Sequence, residues 1–189
     1  MSTNFPFKHL AEEVQFGYAS EASADLSPAL FSPADRLKWE QRETVHRKEE
    51  FLLSRSALAT ALHPHPLSSV HYNGKQPNHE AGHISLSHAK KVAIAAYSPT
   101  LELGVDVEEV RPQIGRIAHK FIRPDEEKYL TDLGTTHAQQ LLWGLKESLF
   151  KLFGSGNVDF KKHLHITSLH TGGNGEHWSG TAWIYATSA

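Results

Sequence analysis

The run THAQQLLWGLKESLFKLFG, from Thr136 to Gly154, leaves the chain few ways to fold. Leu141, Leu145, Ser148 and Leu152 recur at helical spacing, with Leu142 and Leu149 flanking the same stripe. Gly154 supplies a stop, because glycine takes the left-handed conformation that ends helices. A helix of this kind is stable only against a partner layer, so the remaining chain must provide one. On its far side Glu147 and Lys151 fall at i, i+4, with Trp143 one turn earlier.

The partner layer is legible in outline. SPADRLKWEQRE predicts a helix with Ser32 as N-cap and Pro33 in its first turn. TVHRKEEFLLSRSALATAL predicts a longer one, with Val45, Phe51, Leu52, Ala59 and Leu62 on helical faces and an end at Pro64 and Pro66. Asn73-Gly74 marks a turn. HISLSH and KVAIAAYS predict strands, and the SPT turn leads from the second into LELGVDVEEV, read as a hairpin. IGRIAHKFI and RPDEEKYLTDL follow as short helices, and the tail alternates like two strands about a glycine-rich loop. That order implies an α+β or mixed α/β fold. At 189 residues it fits one large domain or two small lobes sharing a core.

Composition removes several functions. The formal net charge of −2 carries no basic surplus, so no nucleic-acid partner is expected. The absence of cysteine excludes disulfides, a thiolate nucleophile and thiolate-bound zinc. No basic-then-apolar leader opens the chain and no run is long enough to span a membrane, so a soluble cytoplasmic protein is expected. Fourteen histidines invite a zinc reading, but none has the spacing of a zinc motif and most read as surface residues.

LGVDVEEV places Asp106 and Glu108 two residues apart. On a strand they share a face, about 6.6 Å apart, while Leu103, Val105 and Val107 point the other way. Two carboxylates that close repel unless a cation or a donor separates them. Magnesium takes one or two such oxygen ligands plus waters and substrate phosphates. Read alone, D-x-E describes a solvated acidic edge before it describes a metal site, and Glu147 with Lys151 describes an exposed ion pair. Together they offer three carboxylates and a lysine. A basic set stands beside them. Arg47 and Arg55 lie about 12 Å apart along a helix, Lys75 sits in NGKQP, and Ser87-His88 ends a strand. Each is ordinary singly, and jointly they suit a polyphosphate.

These stretches resemble a known family. GVDVEEVRP, followed about forty residues later by WGLKESLFK, is similar to the paired signatures of the 4′-phosphopantetheinyl transferases, G-[IV]-D-[IV]-E and W-x-x-K-E-[AS]-x-x-K. NGKQP, HISLSH and RKEEFLLSR resemble that family's upstream elements, so the likeness spans roughly residues 45 to 155. Length favours the longer, pseudo-dimeric Sfp-like type. The resemblance implies two similar α/β lobes related by a pseudo-twofold, an N-terminal lobe over 1–100 with CoA-phosphate residues and a C-terminal lobe over 101–189 with the metal site. It implies transfer of phosphopantetheine from coenzyme A to a serine of an apo acyl or peptidyl carrier protein, leaving adenosine 3′,5′-bisphosphate, by a monomer.

It also implies roles. Asp106, Glu108 and Glu147 would bind Mg²⁺, or Mn²⁺, which also suits oxygen ligands. Glu147 would be the general base, and Lys151 would stabilise the breaking pyrophosphate with Lys146 assisting. Arg47, Arg55, Lys75, Ser87 and His88 would hold the CoA phosphates. Arg111, Arg116, Lys120 and Arg123, with Ile114, Ile117 and Phe121, would form a basic-rimmed apolar dock for an acidic carrier, unless the apolar three pack on their own core. Three features depart from the pattern: Gly144 within the helix, G-K-Q-P in place of G-K-P, and a tail a strand or two short of the usual closing hairpin. The rival readings are a degenerate protein that binds CoA or a carrier without chemistry, and a DnaQ-like exonuclease. The exonuclease reading lacks the later H-x-A-x-x-D.

Overall fold

The computed structural model describes residues 13–20, 27–73, 76–132, 134–154, 157–172 and 178–185. The chain divides into two compact units, Met1–Val107 and Glu108–Ala189.

In the first unit, β1 (Gln15–Ser20), β4 (His83–Ala89) and β5 (Val92–Ser98) form an antiparallel sheet in the order β1-β5-β4. A second pair, β2 (Val70–Asn73) and β3 (Gln76–His79), makes a hairpin. Helix α1 (Pro33–Glu40) begins as expected, with the Ser32 hydroxyl accepting from the Asp35 amide at 3.1 Å and Pro33 in the first turn. Helix α2 (Val45–Leu62) is capped by Thr44, whose Oγ1 accepts from the Arg47 amide at 3.3 Å. Leu53, Ala57, Leu58, Ala61 and Leu62 of α2 pack on Ala93, Ala95 and Tyr97 of β5. The alanines let backbone meet backbone. A Cβ on Gly17 would stand 1.9 Å from the Ala57 carbonyl oxygen, so the crossing of β1 over α2 admits only glycine.

The segment after β5 is not the strand that its alternation suggests. Residues 101–111 carry no strand, and 103–108 are half-buried without alternation. Side chains replace the expected ladder. The Ser98 hydroxyl accepts from the amides of Thr100 and Leu101 at 3.3 and 3.0 Å. The Ser85 hydroxyl accepts from the Val105 amide at 3.0 Å. Strand β5 already has β1 and β4 on its two edges, so no edge remains for a third partner.

The second unit is mainly helical. A 3-10 turn over Pro112–Arg116 leads to α3 (Ala118–Phe121), a second turn over Pro124–Glu126 to α4 (Tyr129–Asp132). Helix α5 (Thr135–Phe153) ends at Gly154 with φ 85°, in the left-handed conformation anticipated for it. Helix α6 (Phe160–His163) precedes an antiparallel pair, β6 (Leu164–Thr171) and β7 (Trp178–Ile184). The core gathers Ile114, Phe121, Ile122, Tyr129, Leu142 and Ile166. The mixture of helix and sheet agrees with an α+β class. Among the described residues, no helix is long and apolar enough to cross a membrane.

The buried face of α5 is rotated from the leucine stripe. Ala138, Leu142 and Lys146 are buried, whereas Leu141, Leu145, Ser148 and Leu152 are half-buried. A lysine occupies the central core position, and apolar periodicity cannot register it.

Candidate functional site

In the first unit the Ser87 hydroxyl donates to Asp106 Oδ1 at 2.8 Å. Strand β4 turns Ser85 and Ser87 to one face, and both reach the 101–107 stretch. Asp106 is therefore held by a strand although it does not lie on one. His88, next along, is exposed, as is Arg47 near the start of α2. Lys75 lies outside the described residues.

In the second unit the Trp143 indole Nε1 donates to Glu108 Oε1 at 3.2 Å. Arg111 Nη2 lies 3.1 Å from Glu108 Oε2. That contact is an ion pair without hydrogen-bond geometry, so the buried Oε2 accepts no hydrogen bond. The Arg111 amide in turn donates to Gln140 Oε1 on α5 at 3.1 Å, which fixes the segment leaving Glu108. Trp143, Glu147 and Lys151 follow at i, i+4 and i+8, hence on one stripe of α5. Glu108 is thus tied to the stripe that carries Glu147 and Lys151, both half-buried. Trp143 itself is wedged between Phe121, edge-on at 5.1 Å, and Phe160, stacked at 5.4 Å. Its positioning role was not among the expected ones. The signal for it was its i−4 relation to Glu147.

Two basic residues expected on the phosphates have their charge committed elsewhere. Arg55 is 4% exposed. Its Nε and Nη2 donate to Asp35 Oδ2 and Oδ1 at 2.8 and 2.7 Å, Nη2 also donates to the Tyr72 hydroxyl, and the guanidinium lies 4.2 Å from the Phe51 ring centre. Lys146 is fully buried and bonded to Glu126 Oε2 at 2.7 Å. Burial pushes its ammonium below the ordinary lysine range, and the hydrogen bond it donates to Glu126 opposes that shift.

The expected docking set divides similarly. Ile114 and Phe121 belong to the second unit's core, with Ile117 partly buried against it. Arg111, Arg116 and Lys120 are exposed. Arg123 is half-buried, bonded to Asp125 at 3.2 Å and to the Lys161 carbonyl at 3.1 Å. An apolar dock centred on Ile114 and Phe121 is excluded because both face their own core.

Among the described residues, no three His, Asp or Glu side chains are gathered closely enough to hold a metal. Magnesium does not require such a gathering, since it takes one or two carboxylates and completes its shell with waters and phosphates. A buried carboxylate oxygen of Glu108 that accepts no hydrogen bond, and a second carboxylate on Asp106, are hard donors of the right chemistry.

Residues 102–187 match the ACPS family, the 4′-phosphopantetheinyl transferase superfamily. A stretch of 78 residues, 39% of the chain, is 31% identical to the 4′-phosphopantetheinyl transferase HetI of Nostoc sp. (strain PCC 7120 / SAG 25.82 / UTEX 2576). The match spans 33% of that relative's length. From the acidic stretch through the closing hairpin, this chain is similar to the 4′-phosphopantetheinyl transferases.

Proposed function

We propose that the protein transfers the 4′-phosphopantetheine group of coenzyme A to a serine hydroxyl of an apo acyl or peptidyl carrier protein. The support lies most in the Trp143–Glu108 hydrogen bond, which ties one acid of D-x-E to the helical stripe bearing Glu147 and Lys151. The superfamily match covers both segments. On this reading Asp106, Glu108 and Glu147 would hold Mg²⁺, which would supply charge neutralisation at the CoA pyrophosphate. Ser87 orients Asp106, and Trp143 with Arg111 orients Glu108. Glu147 removes the proton of the carrier serine as its oxygen bonds to the attacked phosphorus. The P–O bond to the adenylate side breaks, and Lys151 balances the charge on adenosine 3′,5′-bisphosphate as it leaves. Arg47, Lys75 and His88 hold the remaining CoA phosphates, while Arg55 and Lys146 act through the fold. We read the chain as a monomeric member of the longer, pseudo-dimeric type, working in the cytoplasm.

The test is to incubate the protein with CoA, Mg²⁺ and several apo-carriers and weigh the carriers by mass spectrometry. At least one should gain a single phosphopantetheine group, EDTA should stop the gain, and Glu147→Gln should slow it by about 10²–10⁴-fold. If CoA binds and no carrier changes mass, the protein binds without chemistry and the proposal fails.

A further inference from the structure

We infer that Lys146 is a positioning residue, whose buried ammonium sets the rotation of α5 and hence where Glu147 and Lys151 stand. The inference rests on the transfer reading for its link to chemistry, but its geometry is independent of that reading. An ammonium has three N–H donors and no acceptor. Around Lys146 Nζ four acceptors lie within reach: the Phe121 carbonyl at 2.6 Å, Glu126 Oε2 at 2.7 Å, the Leu164 carbonyl at 2.9 Å and the Phe160 carbonyl at 3.2 Å. Every donor is therefore used, and none is left for a substrate phosphate. The four acceptors come from the end of α3, the 3-10 turn, the start of β6 and the start of α6.

Glu126 extends the lock. Its Oε2 also accepts from the Arg123 amide at 2.9 Å, and its Oε1 accepts from the Ile166 amide at 2.8 Å. Both carboxylate oxygens are thus occupied, and the pair is wholly buried. On an α-helix Glu147 follows Lys146 by about 100°, and Lys151 lies about 140° round. Fixing the Lys146 direction from four elements fixes these two directions with it. A helix held only by leucines can rotate a few degrees by rotamer exchange, whereas one held by a fully bonded ammonium cannot without breaking several bonds at once.

Two measurements test this. In the free protein, competitive lysine acylation read by peptide mass spectrometry should leave Lys146 unmodified, with or without saturating CoA. Modification in the free protein with protection by CoA would overturn the inference and return Lys146 to the phosphates. The second uses Lys146→Met with Glu126→Leu, which removes both charges and leaves neither buried alone. That double variant loses the bonds to two backbone amides and three carbonyls. It should therefore melt below the wild type while staying folded at the assay temperature, and keep KM for CoA within about threefold. Its kcat should fall about 10- to 100-fold, the usual effect of misplacing a reacting group by about 1 Å. Wild-type kcat in the folded variant would overturn the inference, and so would a raised KM with kcat retained. If the wild type modifies no carrier, the transfer reading fails on its own, and the acylation result still decides whether Lys146 is locked.

Discussion

In each unit a buried ion pair links a long helix to a short element before or beside it, and the two pairs are built on different plans. Arg55 answers a single carboxylate with a planar fork, then closes its environment with the Tyr72 hydroxyl and the Phe51 face. Lys146 spreads one charge over four acceptors from four elements. The guanidinium makes a stiff two-point joint between α1 and α2, because its donors are fixed in one plane. The ammonium makes a hub, because its three donors point outward from a flexible stem. A joint aligns two helices, and a hub fastens one helix to everything around it.

Three substitutions distinguish the hub from the joint. Lys146→Met alone leaves Glu126 buried and uncompensated, and should cost about 3–5 kcal/mol in urea unfolding. The loss should exceed that of any single change at the other pair that keeps its charge. Arg55→Lys is such a change. It retains the cation but gives up the fork, and about 1.5–3 kcal/mol, one hydrogen bond to a charged group, should be lost by the same measurement. If the two losses were equal, the distinction between hub and joint would fall. The weakest test touches the hub at its edge. Asp159 caps α6, accepting from the Lys161 and Lys162 amides at 3.0 and 2.9 Å, and Phe160 of that helix offers a carbonyl to Lys146. Asp159→Ala should cost about 0.5–2 kcal/mol. The Lys162 amide, and after it that of Lys161, hold the Asp159 carboxyl below its ordinary value of 3.8. The cap's contribution is therefore complete above that value and fades as pH drops through the lower folded one. The gap between wild type and variant should accordingly close in acid.

Much of the scaffold was readable from residues alone. The cap at Ser32, the stop at Gly154 and the strands over HISLSH and KVAIAAYS rest on local chemistry, which adjacent letters carry. The D-x-E segment was misread as a strand because its Val105 amide is taken by the Ser85 hydroxyl, twenty residues away, and not by a neighbouring strand. Period-two alternation is necessary for a half-buried strand but does not provide a neighbour. The buried roles of Arg55 and Lys146 escaped for a related reason. A charged residue becomes core only when a distant acid joins it, 20 residues off in both cases, and hydropathy patterns count it as surface. For the same reason the leucine stripe on α5 pointed slightly away from the true core. Glu147 and Lys151 could be placed on one stripe because both lie on one helix at fixed spacing. Trp143 was seen beside them but its bond to Glu108 was not, since that bond crosses 35 residues.

The contact between Gly17 and Ala57 has a use at the bench. Because a Cβ at residue 17 would collide with backbone and not with a movable side chain, a saturation library at that codon should return glycine alone among folded clones. The neighbouring codons for Phe16 and Tyr18, 68% and 61% exposed, should tolerate wide replacement. A sharp one-codon trough between two permissive ones would be a fingerprint of β1 seated on α2, readable by sequencing survivors without a purified protein.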